Sequence, residues 1–472
     1  MRACLLTALG VLYLLPAYGQ TPEPNWNAAL TQLDALVKVE ADKLHGPSFS
    51  VAVVSRRHPA YFVSYGYADL AHKTAATPHT IYEIGSITKV FTGTMLMQLR
   101  DAGKASLDDP ITKHLPEFRV VSPFGGLARP TLRQLISHTS GLPRMSPQFS
   151  ELEGGAGSDA QAIAALHGTA AVMPPFTRFK YSNLGVAITG YALARTAKTP
   201  WSVYIDHKIL HPLGMSESSA VRARLPAAQI AAGYLPGEDS AWSVGTPMPF
   251  SPVTEAAASM LSTTTDLAKF AAWQLDETDT RVLSAVSRRE MRAPLWMNDD
   301  WTGGSGVAWA LDRRDGEVLV NHGGGTSGFS SMLCLVPKQG IAIVVLGNSM
   351  ADAQGLAFRL LTPLIAAAKA EQASIEAALP AEPLPQNAER FAGAYAHDAG
   401  LLPPVTVSVK AGTLVMHDDA WGTIELKPTS DPRTFTVTGN YPLDNEAVTF
   451  EGDGADARLL VGHGSIVYKR TP

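Results

Sequence analysis

Apolar residues at Leu30, Leu33, Leu36 and Val37 recur at helical spacing and predict a first helix over 26–44. Two β-rich runs follow, Ser48 to Val54 and Tyr61 to Tyr65, as an antiparallel pair would require. Helical spacing returns at Val90, Phe91, Met95, Leu96 and Leu99, predicting a helix from Ser86 to Leu99 that Gly103 stops. Between residues 105 and 300 the pattern breaks into short helical stretches interrupted by Pro and Gly, which predicts an α-helical insertion. Strand patterns reappear at Val318 to Asn321, Ser330 to Val336 and Ile341 to Leu346, before a last helix over Ala353 to Ala370. This order predicts an α+β fold (an α/β sandwich) with an antiparallel sheet flanked by helices and a second, helical lobe.

The pattern then changes. Leu379 to Pro385 carries three prolines and marks a linker, taken as 379–386. Beyond it apolar residues alternate with period two, as at Val405, Val407 and Val409, and again at Val448 and Phe450. A small all-β domain is expected over 387–472, after a main domain over 20–378. The β domain carries no catalytic motif, and no internal repeat is visible.

Composition narrows the setting. Met1-Arg2, the apolar run Leu5 to Leu15 and the small residues Ala17 and Gly19 read as a secretory leader over 1–19. An exported protein (periplasmic or extracellular), soluble once the leader is removed, is therefore expected, with no later membrane span. The formal charge of −5 gives no electrostatic reason to bind nucleic acid or anionic lipid. Of the two cysteines, Cys4 lies in the leader and Cys334 in an apolar run, so Cys334 is expected to be a buried small hydrophobe. There is no Cys-x-x-Cys spacing and no G-x-S-x-G elbow, so neither a metal site nor an α/β-hydrolase nucleophile is expected. The one dense glycine run, His322 to Gly325, precedes a strand rather than a helix, which disfavours a dinucleotide cradle. No cofactor is expected.

Three short motifs carry the chemistry. In Ser86-Ile87-Thr88-Lys89 the lysine shares a helical face with the serine, among apolar Ile84, Val90 and Phe91. A helix start offers free N–H groups where an oxyanion develops, and desolvation favours a neutral lysine able to take a proton. A lone S-x-x-K arises roughly once by chance in a chain this long, and an N-cap serine beside a solvated lysine is the plainer reading. In Tyr181-Ser182-Asn183, a nearby lysine could lower the tyrosine pKa toward a base's, and Asn183 could hold both Lys89 and a substrate carbonyl. A buried tyrosine with a capping neighbour is the alternative. In His322-Gly323-Gly324, glycines would let a substrate lie along the backbone.

Together, in this order, the motifs resemble those of the S-x-x-K serine hydrolases related to class C β-lactamases, D-alanyl-D-alanine carboxypeptidases and bacterial esterases. The string Glu83 to Lys89 is similar to that family's nucleophile segment, and further likeness lies in Leu135 to Pro143, Pro212 to Met215 and Ser262 to Phe270, covering residues 30 to 370. The resemblance implies Ser86 as nucleophile, Lys89 and Tyr181 as proton carriers, Asn183 as a positioning group, and His322 as a group adjusting the Tyr181–Ser86 pair. It implies an oxyanion hole from the Ser86 and Gly325 amides, and a substrate strand of Gly323, Gly324 and Thr326. His138, by contrast, is expected only to hydrogen-bond within its own loop.

At the third motif the chain departs from the β-lactamases, which usually carry lysine and then a hydroxyl residue where His322 and Gly323 stand. That loss weakens the grip on a substrate carboxylate, unless Thr326 or Arg144 compensates. The expected function is a serine hydrolase acting through an acyl-enzyme on amide or lactam bonds, with D-amino-acid peptides, peptidoglycan-like compounds or β-lactams as small-molecule or peptide substrates. A carboxylesterase using the same machinery is the alternative, and a non-catalytic binder of cell-wall fragments a remoter one. The sequence leaves the oligomeric state open.

Overall fold

The computed structural model describes residues 25–471 except 125–128, 146–160, 162, 165, 238–240, 379–383, 401, 420–421, 438–445, 463 and 465. The expected leader and most of the expected proline linker lie outside the described residues. The chain divides into two units, Met1–Gln372 and Ala373–Pro472.

The first unit opens with helix α1, Trp26–Asp42, whose first turn is capped by the Asn25 side chain accepting from the Ala28 N–H at 2.8 Å. Strands β1, Phe49–Ser55, and β2, Tyr61–Tyr65, come next, then a 3₁₀ turn at Gly85–Ile87 running into helix α2, Thr88–Asp101. In the helical lobe, α3 is Asn183–Ala197 and α4 is Thr264–Leu275. Six strands follow: β3 (Trp296–Met297), β4 (Gly303–Ser305), β5 (Ala310–Arg314), β6 (Glu317–Thr326), β7 (Phe329–Val336) and β8 (Ile341–Gly347). Helix α5, Ala353–Ala378, closes the unit and runs a few residues past it.

These strands form one antiparallel sheet in the order β2-β1-β8-β7-β6-β5-β4-β3. Its central strands read as unbroken apolar runs because both faces are covered. Val51, Val53, Met332, Cys334, Ile343 and Val345 pack toward α1 and α5, while Ala52, Val54, Leu333, Leu335, Val344 and Leu346 pack toward the helical lobe. Cys334 is fully buried there, and burial pushes its thiol pKa up.

Two expectations need correction. The stretch expected to be helical up to residue 300 ends in strands, and β3, β4 and β5 extend the sheet on that side. They are short, and one of them, Gly303-Gly304-Ser305, is mostly glycine, so pairing rather than residue pattern creates them. The glycine run does not precede its strand but lies within it, since β6 reaches from Glu317 through Thr326.

In the second unit eight antiparallel strands close into a barrel: β9 (Gly393–His397), β10 (Val405–Lys410), β11 (Thr413–Asp418), β12 (Gly422–Pro428), β13 (Thr434–Val437), β14 (Ala447–Glu451), β15 (Arg458–Val461) and β16 (Ile466–Arg470). Inward side chains fill it. Phe391 stacks on Phe450 with ring centroids 4.4 Å apart, and the Tyr395 hydroxyl donates to the Phe391 carbonyl at 2.8 Å. Among the described residues, no helix is long and apolar enough to cross a membrane.

Candidate active site

The turn carrying Ser86 is held from three sides. The Ile84 N–H donates to the Met260 carbonyl at 3.0 Å, and the Ile84 carbonyl accepts from Ser331 on β7 at 2.9 Å. Gly85 sits at φ +49°, where a Cβ would lie 2.7 Å from the Gly325 nitrogen. At Gly324 a Cβ would meet the Ile84 carbonyl oxygen at 2.0 Å. Gly85 and Gly324 thus let the Ser86 turn press backbone to backbone on the strand. The sequence reading assigned Gly324 to substrate approach and missed this second use.

Helix α2 then places Lys89. Its side chain is fully buried, and Nζ lies 2.9 Å from Ser86 Oγ and donates to the Ala257 carbonyl at 2.8 Å. The segment supplying that carbonyl is stitched to α2, with Thr92 donating to the Ala256 carbonyl at 2.7 Å and the Met260 N–H donating to Thr88 at 3.1 Å. Burial, with a smaller push from the Arg144 charge, holds the Lys89 pKa well below the usual ammonium range. Desolvation thus makes the amine easier to deprotonate than an ordinary lysine.

Tyr181 comes from the opposite wall, fixed by the start of α3. Ser182 caps that helix, accepting from the Gly185 N–H at 2.9 Å and donating to the Pro143 carbonyl at 2.8 Å. The Lys89 ammonium position is 5.1 Å from the Tyr181 ring centroid, and the Arg144 guanidinium 5.2 Å. The expected lowering of the tyrosine pKa by the lysine is not seen. Burial raises the Tyr181 pKa more than the neighbouring Ser86 hydroxyl and Arg144 lower it.

Asn183 stands apart from Lys89. Its N–H donates to the Arg144 carbonyl at 3.0 Å, while its buried Oδ1 has no hydrogen-bond partner among the described residues. The expected bond from Lys89 to Asn183 is replaced by the one to the Ala257 carbonyl. His138 also differs from expectation, because its Nδ1 accepts from the Ser182 N–H at 3.1 Å, outside its own loop. Its ring lies 4.4 Å from that of Tyr181, and burial holds it neutral.

His322 is on β6 with its Nδ1 2.7 Å from the Gly323 carbonyl, and its ring centroid is 6.3 Å from that of Tyr181. Burial first and the Lys89 charge second lower its pKa to about 4, so it adds no charge at neutral pH. Strand β6 pairs with β5 only up to Asn321, and from His322 onward it pairs on the β7 side alone. That free edge runs past Ser86 along a cleft of about 840 Å³ lined by Ser86, Tyr181, His322 to Thr326 and Arg144. Beside Thr326, burial raises the Glu83 carboxyl pKa against the opposing Thr326 hydroxyl and Arg222 charge.

One His-x-x-x-His spacing escaped the sequence reading. His207 and His211 have ring centroids 5.3 Å apart, but among the described residues no third His, Cys, Asp or Glu joins them to hold a metal ion.

Known proteins share this architecture. At 24% identity, an octameric penicillin-binding protein homologue from Pyrococcus abyssi aligns with 93% of this chain and 99% of its own, TM-score 0.61. SurE aligns at 22% identity over 94% and 100%, TM-score 0.59. Both show likeness of fold. Protein flp of Staphylococcus aureus is 28% identical over 323 residues, 68% of this chain and 64% of that protein. Beta-lactamase-like protein 2 of Dictyostelium discoideum is 30% identical over 327 residues, 66% of this chain and 58% of that protein. The chain therefore spans less than two thirds of these relatives' length. The Beta-lactamase family model matches residues 33–366, which takes in every element of the site, and the chain belongs to that family.

Proposed function

We propose that this protein is an exported serine hydrolase working through an acyl-enzyme on Ser86. The observation that carries the reading is the 2.9 Å contact between Ser86 Oγ and a fully buried lysine at the floor of the cleft. Ser86 Oγ attacks a substrate carbonyl and its proton passes to Lys89, while the Ser86 and Gly325 amides receive the oxyanion. The bond to the leaving group breaks as Tyr181, resupplied by Lys89, delivers a proton to it. Water then attacks the ester on Ser86 and releases the acid. The leader-like residues 5–15 support export.

The substrates favoured are amides or lactams of the D-amino-acid peptide, peptidoglycan-like or β-lactam type. The free edge of β6 supports them, since a peptide can lie there as an added strand. A carboxylesterase is the second reading, favoured by an uncharged His322 and the bare Gly323.

Time-resolved intact mass with excess benzylpenicillin tests the proposal, with Ser86→Ala as control. A lasting Ser86-dependent adduct marks a peptidase-like site, and a transient one with accumulating penicilloate marks a β-lactamase. No adduct, combined with Ser86-dependent ester turnover, leaves the esterase. Ester turnover that survives Ser86→Ala sinks the mechanism.

A further inference from the structure

Among the described residues lining the cleft, Arg144 is the one arginine or lysine and Asp352 the one aspartate or glutamate. Arg144 has no carboxylate partner among the described residues. Its guanidinium lies over the Tyr181 ring, 5.2 Å from the centroid, on an exposed residue of the cleft wall, and it carries five N–H donors suited to a carboxylate. Its backbone is fixed, because the Arg144 carbonyl accepts from the Asn183 and Leu184 N–H groups at 3.0 and 3.2 Å. The same two bonds lock Arg144 to the start of α3, next to Tyr181. Asp352 stands on a different element, at the head of α5, where its side chain accepts from the Gly355 N–H at 2.7 Å.

We propose that Arg144 is the residue that selects substrates bearing a carboxylate on the leaving group, binding that anion beside Tyr181. This rests on the acyl-enzyme reading above and names what the site prefers. The group that receives its proton from Tyr181 is the leaving group, so an anion carried by that group falls within reach of the cation stacked on the same ring. Asp352 repels the opposite placement and gives the cleft a direction. The charge missing at position 322 is thereby supplied from the other wall, by a residue that does not belong to the glycine strand.

The test uses two thioesters with the same N-benzoylglycyl group, one leaving as thioglycolate and one as neutral mercaptoethanol. Arg144→Ala should lower kcat/KM for the thioglycolate ester about 10- to 100-fold, the range of one charge-assisted hydrogen-bonded contact, and leave the neutral ester within about threefold. Arg144→Lys should restore part of the loss. Equal losses on both esters, with the acid limb of both pH profiles moved to higher pH, would mean that Arg144 acts through Lys89 alone, and the proposal fails. No loss on either also overturns it. Binding gives an independent reading that needs no turnover: N-acetyl-D-alanine should bind Ser86→Ala more tightly than N-acetyl-D-alaninamide does, and Arg144→Ala should erase the difference. Labelling of Ser86 by a fluorophosphonate judges the hydrolase reading separately. If labelling fails while the anion preference persists, Arg144 stands and the acyl-enzyme falls.

Discussion

Gly85 and Gly325 meet backbone to backbone: a Cβ on the first would stand 2.7 Å from the nitrogen of the second. The backbone beside Ser86 reaches the amide of the strand because Gly85 has no side chain, whereas a Cβ on Gly325 would meet nothing nearer than the Phe329 carbonyl oxygen at 3.9 Å. Rate in such a site depends on placement, and an error of about 1 Å costs on the order of a hundredfold.

The glycines of the strand should therefore differ sharply in tolerance. Gly324→Ala drives a Cβ against the Ile84 carbonyl, 2.0 Å away, and should cost about 100-fold in kcat/KM by displacing the Ser86 turn. Gly323→Ala finds its nearest neighbour at 3.6 Å and should keep wild-type folding and an undisplaced Ser86 turn, losing far less turnover than Gly324→Ala. Steady-state kinetics and melting curves of the two variants check this, and equal behaviour would contradict the geometry.

Lys89 should separate stability from activity. Its folded pKa is depressed, so as pH falls the unfolded chain takes up the proton before the folded chain does, and this group opposes folding below the ordinary lysine pKa. Lys89→Met should lower Ser86 acylation by at least about a thousandfold while Tm stays level or rises. A large fall in Tm would show that the amine is a net structural support.

His322 should make stability depend on pH. Its folded pKa of about 4 lies below the ordinary 6.5, so its contribution is complete above 6.5 and is lost as pH falls from there to about 4. The loss reaches the order of 3 kcal/mol once the folded form is protonated as well, below about pH 4. Lys89 repels the imidazolium and the Gly323 carbonyl favours it, the first effect being the larger. Urea unfolding at pH 7 and pH 4.5 should show a smaller difference for His322→Gln than for wild type, with His138 supplying the remaining slope in the same direction.

Asp266 should prove structural. Its fully buried carboxylate accepts from the Glu217 N–H at 2.7 Å, the Ser218 hydroxyl at 2.8 Å and Lys269 at 2.7 Å. Asp266→Ala strands those donors and should cost about 3–5 kcal/mol in denaturant unfolding. Below its melting temperature the variant should keep the wild-type KM.

Local pattern determined much of this protein. Helical spacing in α1 and α2, the apolar runs of β1, β7 and β8, and the alternation in the barrel are all consequences of which faces must leave water. The i,i+3 spacing of Ser86 and Lys89 likewise fixes their contact, because it lies within one helical turn. What lies far apart in sequence was decided by packing. Strands β3 to β5 exist because an edge of the sheet was there to pair with. Lys89 turns to the Ala257 carbonyl rather than to Asn183, and the Tyr181 pKa is raised rather than lowered, because burial depends on every element around a group and not on its neighbours in the chain. Arg144 carries no motif that would mark it, and only the docking of its loop on the start of α3 sets its charge over Tyr181.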